Sequence, residues 1–410
     1  MQENRKELPR KNKFIIEFVI YLLFALGPLT GNVILVLFGV LSAEFSVSIS
    51  AVQIAIPAFM FPFAITQLFS GAISDIKGRF QVILFGLIIF GIGMTIAAIS
   101  FSLEIYIVAN ILGGIGFGFV NPVLIALITD ITSGPNIPTK MGYLGAVANL
   151  GVGFGPIIAG QMGVLGWRYL YLIFIVIVLI GFIIIISLKS TSQKSNQKSG
   201  MRVFFKHISQ EIRRKVVILL IFSVFLVTQT YLAIITWTSI SFAGKIPPNI
   251  IGLVVGSVGI TGAITGVIIG NIIKVKGVKI AIIMGLIFLF ISIITFLLLG
   301  NDPKWSEVRI LAFATIGLIF TGASGGTLLP SIMYYSQTLS KERRGALAGL
   351  TTAGQFIGIA LVPIIYDSIH DNGGIQMVYL TVLLISFLLV LIIVILYTLT
   401  KKVEIPKERL

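Results

Sequence analysis

The sequence predicts an all-α polytopic membrane protein, with twelve transmembrane helices in two pseudo-symmetric six-helix bundles. Three observations predict it. The chain of 410 residues is 57% hydrophobic and only 11% charged, whereas soluble domains carry about 25% charged residues. Its apolar residues gather in runs of roughly the 20 residues that cross a bilayer. The spacing of glycine and proline in the first six runs recurs in the last six.

The twelve runs cover 14–41, 51–73, 80–100, 104–129, 141–164, 168–188, 216–240, 250–273, 279–299, 309–335, 345–367 and 376–400, hereafter spans 1 to 12. The first, Phe14 to Leu41, is too long for a signal core and lacks a small-residue cleavage pattern, so it is expected to remain as a span. The expected domains are an N-tail 1–13, an N-terminal bundle 14–188, a linker 189–215, a C-terminal bundle 216–400 and a C-tail 401–410. The linker opens with the Ser-rich stretch Lys189 to Gly200, too polar to pack. Its remainder mixes Phe204, Phe205 and Ile208 with Lys206, Arg213 and Arg214, and reads either as a tether or as a short amphipathic helix on the membrane surface.

The formal net charge is +15. If both termini are cytoplasmic, 26 of the 30 basic residues fall on cytoplasmic segments, and only Arg168, Lys245, Lys304 and Arg309 fall outside. This is the positive-inside pattern, and it predicts a multi-pass protein of the cell membrane with cytoplasmic termini. No basic helical face or aromatic stacking module accompanies the lysines, which argues against nucleic acid as a partner.

Span 5 contains Gly151-Val152-Gly153-Phe154-Gly155-Pro156-Ile157-Ile158-Ala159-Gly160 inside a run without charge. Gly151, Gly155 and Gly160 are expected on or near one helical face, where a second helix could approach closely. Pro156 removes one backbone hydrogen bond and is expected to bend the helix. The two halves of the chain match at three places in order. Gly71 and Gly78 after span 2 match Gly270 and Gly277 after span 8. Gly114, Gly118 and Pro122 in span 4 match Gly322, Gly326 and Pro330 in span 10. Gly142, Gly151 and Pro156 in span 5 match Gly349, Gly358 and Pro363 in span 11. Duplicated units of this kind build carriers that rock about a midplane site.

On these residues the chain resembles the major facilitator superfamily, and within it the twelve-span drug–proton antiporters. The family loop between spans 2 and 3 reads Gly, three residues, Asp, Arg, any residue, Gly, Arg and a basic residue. Here it reads Gly71, Asp75, Ile76, Lys77, Gly78, Arg79 and Phe80. The span 5 stretch resembles the antiporter motif, with Ala159 at its penultimate glycine. Gly166-Trp167-Arg168-Tyr169 is similar to the Trp-Arg signature before span 6, and Trp167 and Tyr169 are expected as interfacial anchors. The resemblance implies a conformational latch of Gly71, Asp75, Lys77, Gly78, Arg79 and Asp130, with Asp75 facing span 11 and Arg79 pairing with Asp130. It also implies export, with Gly151, Gly155, Pro156 and Gly160 as the antiporter element. The family's span 4 arginine is replaced by Asn110, and the acid that many relatives carry in span 1 by Asn32.

No ionisable residue stands near the middle of any span. An intramembrane charge is costly and usually functional, so a cavity is expected to be neutral. Its candidates are Asn32, Gln53, Asn110, Asn121, Asn149, Gln229, Tyr231 and Gln355. Such a cavity suits apolar or uncharged compounds. If protons drive transport, the candidate carriers are Glu17 and Asp367. No phosphate loop, paired intramembrane carboxylates or cysteines support an enzyme, a metal site or a cofactor. The expected partners are a small-molecule substrate, the lipid bilayer and protons, with the chain as a monomer. A facilitator or importer of a small metabolite, and a sensor that keeps the fold without transport, remain open on the sequence.

Overall fold

The protein is described by a computed structural model covering residues 10–132, 136–188, 206, 208–299, 306–339 and 344–401. Most of both tails and of the linker lies outside the described residues. Of the surface-helix reading, only a short turn of helix around Ile208 to Glu211 is described.

Span 1 is Arg10–Phe45. Span 2 starts as the short helix Ile49–Gln53 and continues as Ala55–Lys77. Spans 3 to 6 are Arg79–Ile99, Leu103–Ile131, Ile137–Leu165 and Arg168–Leu188. Spans 7 to 10 are Lys215–Phe242, Pro248–Lys276, Val278–Leu299 and Glu307–Thr338. Among the described residues, eleven helices are long and apolar enough to cross a membrane. The last, Arg344–Lys401, holds spans 11 and 12 in one run, broken where Gly374 adopts φ 66° and ψ −171°. A side chain would clash with the backbone in that region, so the break falls on a glycine. The face where span 1 begins and span 12 ends is called proximal below, and the opposite face distal.

The duplication is visible as packing. Gly114 and Gly118 of span 4 lie against Phe59, Phe63 and Thr66 of span 2, and Gly322 and Gly326 of span 10 lie against Val258, Thr261 and Gly262 of span 8. Gly151 and Gly155 bring span 5 onto Pro28 and Leu29 of span 1. Gly354 and Gly358 bring span 11 onto Ile221, Phe225 and Thr228 of span 7. Gly78 and Gly277 end spans 2 and 8 with φ of 97° and 85°, a left-handed turn that glycine allows at no steric cost.

The expectation of one common face in span 5 is corrected. Gly151 and Gly155 face span 1, whereas Gly153 and Gly160 face span 8. A helix turns about 100° per residue, so five residues carry Gly160 well away from Gly155. The stretch therefore closes two interfaces, one within the N-terminal bundle and one between bundles. The interface with span 8 is the tighter of the two. A Cβ on Gly160 would stand 2.5 Å from the Pro248 carbonyl oxygen and 3.1 Å from the Gly252 Cα. A Cβ on Gly259 would overlap the Gly153 backbone. Trp167 also departs from expectation. It is buried among Phe45, Tyr106 and Tyr171, with ring centroids 5.8 to 6.0 Å away, and only Tyr169 of the pair is exposed.

Gly259→Ala is expected to strain the contact between spans 5 and 8 and to lower stability by about 1–3 kcal/mol. Gly270→Ala, where no atom lies within 4 Å of the Cβ position, is expected to be neutral or slightly stabilising. Thermal unfolding of the purified variants compares the two. Equal melting temperatures would show that the seam does not need backbone contact.

Candidate functional site

Contacts described between the bundles run from the distal face to the middle of the spans. Near the distal face, the Ser239 hydroxyl of span 7 donates to the Leu35 carbonyl of span 1. Gln53 of span 2 donates from Nε2 to Asp367 Oδ1 of span 11 at 3.2 Å. Span 5 meets span 8 from Gly163 down to Asn149, whose amide stands 3.5 to 3.6 Å from Cβ positions on Gly262 and Gly266. At mid-depth Phe63 of span 2 meets Phe356 of span 11 edge to face, with centroids 4.4 Å apart.

One turn nearer the proximal face the contacts end. Gly145 and Gly270, four residues on from Asn149 and Gly266, have no atom within 4 Å of a Cβ position, and the same holds for Gly71, Gly142 and Gly349. Spans 2, 5, 8 and 11 thus touch distally and part proximally, leaving a cleft open to the proximal face. Phe63 and Phe356 stand at its inner end. Phe63 continues a phenylalanine cluster with Phe59, Phe117 and, through Phe117, Phe90.

The loop between spans 2 and 3 forms a compact charged cluster at the proximal face. Arg79 bonds Asp75 Oδ1 at 2.6 Å and Asp130 Oδ2 at 3.0 Å. It also donates to the Ser74 hydroxyl at 2.5 Å and, more weakly, to the Gly71 carbonyl at 3.4 Å. Five donors in a planar fork let one guanidinium hold the end of span 2 to the end of span 4. Asp75 points at Arg79 and makes no hydrogen bond to span 11 among the described residues. Lys77 is exposed.

The eight neutral candidates do not form one constellation. No hydrogen bond joins any of them to another among the described residues. Asn32, Asn110 and Asn149 each donate to the carbonyl four residues back, on Pro28, Tyr106 and Gly145, at 2.7 to 3.1 Å. Asn110 also lines a void of about 10 Å³ with Thr30, Gly31, Phe59 and Met60. Gln229 is buried inside the C-terminal bundle and donates to the Gly358 carbonyl at 2.7 Å. Tyr231 packs against Gly325 of span 10, and Asn121 and Gln355 are half-buried. Pro156 is buried in the seam, with its carbonyl oxygen 2.5 Å from a Cβ position on Gly252.

The acids have contrasting partners. Glu17 bonds Lys140 at 2.6 Å, an ion pair between spans 1 and 5 with side chains 13% and 25% exposed. Span 5 begins at Ile137, several residues before its apolar run, and so carries Lys140 within the helix. Glu44 bonds Arg168 at 2.7 Å; Arg168 also donates to the Ser100 carbonyl at 2.8 Å and lies 4.4 Å from the Trp167 ring. Asp367 alone among these has a neutral partner, Gln53.

The profile of the Major Facilitator Superfamily matches residues 18–319 and 243–409. The chain belongs to the major facilitator superfamily. It is 26% identical over 373 residues to the quinolone resistance protein NorA of Staphylococcus aureus (strain COL), covering 90% of this chain and 92% of that protein. It is 23% identical to multidrug resistance protein 2 of Bacillus subtilis (strain 168), covering 77% of this chain and 80% of that one. Among solved structures, it matches a partially occluded inward-open form of the E. coli xylose transporter XylE with a TM-score of 0.71 and 14% identity, over 98% of this chain and 100% of that chain. The nucleoside transporter NupG matches with a TM-score of 0.71 and 14% identity, over 94% and 99%. The chain is thus a multi-pass membrane transporter, and its relatives support efflux.

The Glu17–Lys140 pair makes a direct test of the proximal contact between spans 1 and 5. Lys140→Met leaves a largely buried carboxylate without its partner and is expected to cost about 1–3 kcal/mol. Adding Glu17→Gln is expected to recover part of that loss. A thermal double-mutant cycle reads the coupling, and strictly additive effects would mean that the pair contributes nothing.

Proposed function

We propose that this transporter exports small, apolar or uncharged organic compounds across the cell membrane by alternating access. The observation that carries the reading is the cleft, which is sealed distally and open proximally, and whose inner end is closed by the ring of half-buried Phe356 packed on buried Phe63. The span centres around it have no ionisable residue. An aromatic, uncharged surface binds apolar ring compounds through area burial and ring stacking, and it leaves a strongly charged solute without a counter-charge.

Orientation supports export. With the basic segments on the cytoplasmic side, the proximal face is cytoplasmic, and the cleft is open where an exporter loads. The names of the relatives, resistance proteins for quinolones and for several drugs, suit substrates of this class. A single polypeptide with two related halves suffices, so we take the monomer as the transporting unit.

In this reading Gly71, Asp75, Lys77, Gly78, Arg79 and Asp130 form the cytoplasmic latch. The Arg79 cluster is preassembled on the N-terminal bundle, and span 11 swings onto it when the cytoplasmic side closes. Gly153, Pro156 and Gly160 line the surface that separates from span 8 when the outside opens, while Gly151 and Gly155 keep span 5 on span 1. Protons supply the driving force. Glu17 is held by an ammonium partner and Asp367 by a neutral one.

Proteoliposomes holding the purified chain test this reading. A fluorescent quinolone is expected to move toward the distal side faster when a proton gradient is imposed than when it is collapsed. Equilibration indifferent to the gradient would instead favour a facilitator. Asp75→Asn is expected to lower the flux several-fold with unchanged expression, and full activity in that variant would remove Asp75 from the latch.

A further inference from the structure

A side chain to side chain hydrogen bond crosses between the two bundles, from Gln53 Nε2 to Asp367 Oδ1. The two residues are 314 positions apart. Gln53 sits in the short helix that opens span 2, 2% exposed, and Asp367 lies near the distal end of span 11. Gln53 uses its amide hydrogen here, but its carbonyl oxygen Oε1 is buried and has no hydrogen-bond partner. A buried acceptor left in that condition is costly.

A carboxylate cannot satisfy it, because an ionised carboxyl group only accepts. A protonated one gains an O–H donor. A carboxyl group facing a primary amide can then form two parallel hydrogen bonds, N–H to one oxygen and O–H back to the amide oxygen. We propose that the Gln53–Asp367 pair is a proton-binding outer gate. Closing the distal side takes one proton from the distal solution onto Asp367 Oδ2, which donates it to Gln53 Oε1, while Gln53 Nε2 keeps its bond to Oδ1. Opening that side breaks both bonds and returns Asp367 to water, where it releases the proton. No other atom changes its covalent state. The inference rests on the reading of the chain as an alternating-access carrier.

The neighbouring spans bring few charges to this carboxyl group. Span 2 brings its charges, Asp75 and Lys77, to the proximal end, span 7 brings only Lys215, also proximal, and span 12 has none between 375 and 399. Span 10 begins with the exposed Glu307 and Arg309. On span 11 itself, His370 lies one turn on from Asp367, its ring 6.4 Å from Trp237, and its Nδ1 is 3.8 Å from Asp371. Across the distal face, Glu44 is held by Arg168, and Lys245 is exposed in the turn after span 7. No cation is bonded to Asp367 among the described residues.

One proton bound on closing changes the closing equilibrium about tenfold per pH unit. The chain has no cysteine, so Glu104→Cys and Lys245→Cys place two spin labels on the distal face, one on each half. Distances are measured in lipid nanodiscs without substrate, from mildly acid to mildly alkaline buffer. The closed population is expected to fall as pH rises. Asp367→Asn, whose amide can both accept from and donate to Gln53, is expected to stay closed at every pH. Gln53→Leu keeps the acid but removes its partner, and is expected to lose the pH response as well. A labelled protein indifferent to pH, or an Asp367→Asn variant that still responds, would overturn the gate. Drug flux is measured separately. A chain that closes with protons but moves no drug keeps the gate and loses the exporter, and one that exports drug without proton-linked closure keeps the exporter and loses the gate.

Discussion

Backbone contact between spans 5 and 8 is the constraint on which the rest of this structure depends. Lipid tails are as apolar as leucine, so helices in a bilayer gain little from hydrophobic burial against each other and associate through close packing. Gly153, Gly160, Gly252, Gly256 and Gly259 supply that packing by letting two backbones touch. The contact is dense but has no ion pair across it among the described residues. A surface held together by shape alone can part without exposing buried charge. That suits an interface that must open and reclose in each transport cycle.

The strong bonds are placed elsewhere, within each bundle. Arg79 ties span 2 to span 4, Lys140 ties span 5 to span 1, and Arg168 ties the start of span 6 to the end of span 1. In the C-terminal bundle, Gln229 bonds the Gly358 carbonyl, and Ser292 bonds both Thr321 and the Gly317 carbonyl. The division of labour is physical. Charge-assisted and buried polar bonds make each bundle a rigid body, while glycine contacts, the Phe63–Phe356 ring pair, a serine bond and an amide–acid bond join the two bodies. The parting of spans 2, 5, 8 and 11 toward the proximal face then follows as motion of two rigid bodies about their distal contacts.

The fold could be read from the sequence because its signals are local or periodic. Apolar runs of bilayer length mark spans, and Gly114, Gly118 and Pro122 recur at the spacing of Gly322, Gly326 and Pro330. Faces and partners were harder to read. Gly160 shares one glycine-rich run with Gly151 and Gly155, although about half a turn of helix separates their neighbours. Asn32, Asn110 and Asn149 look alike in sequence as polar residues in apolar runs, yet each bonds its own helix backbone. Trp167 has the composition of an interfacial anchor, and only tertiary packing shows it enclosed by Phe45, Tyr106 and Tyr171. The pairs Glu17–Lys140 and Gln53–Asp367 span 123 and 314 residues, and no local pattern announces a contact at that separation.

The central claim is that transport requires the two bundles to separate at the distal face, which this structure holds closed. A Cβ on Gly39 of span 1 would stand 3.4 Å from the Ala243 Cβ that follows span 7 and 2.9 Å from the Gly244 amide nitrogen, so a small backbone shift brings the pair to the roughly 3.5–4.5 Å spacing of a disulfide. In this cysteine-free chain, the most direct measurement is drug flux through the Gly39→Cys/Ala243→Cys variant, with each single-cysteine variant as control. Flux is expected to vanish when the bridge is oxidised and to return on reduction. Undiminished flux through fully bridged protein would contradict alternating access at this face.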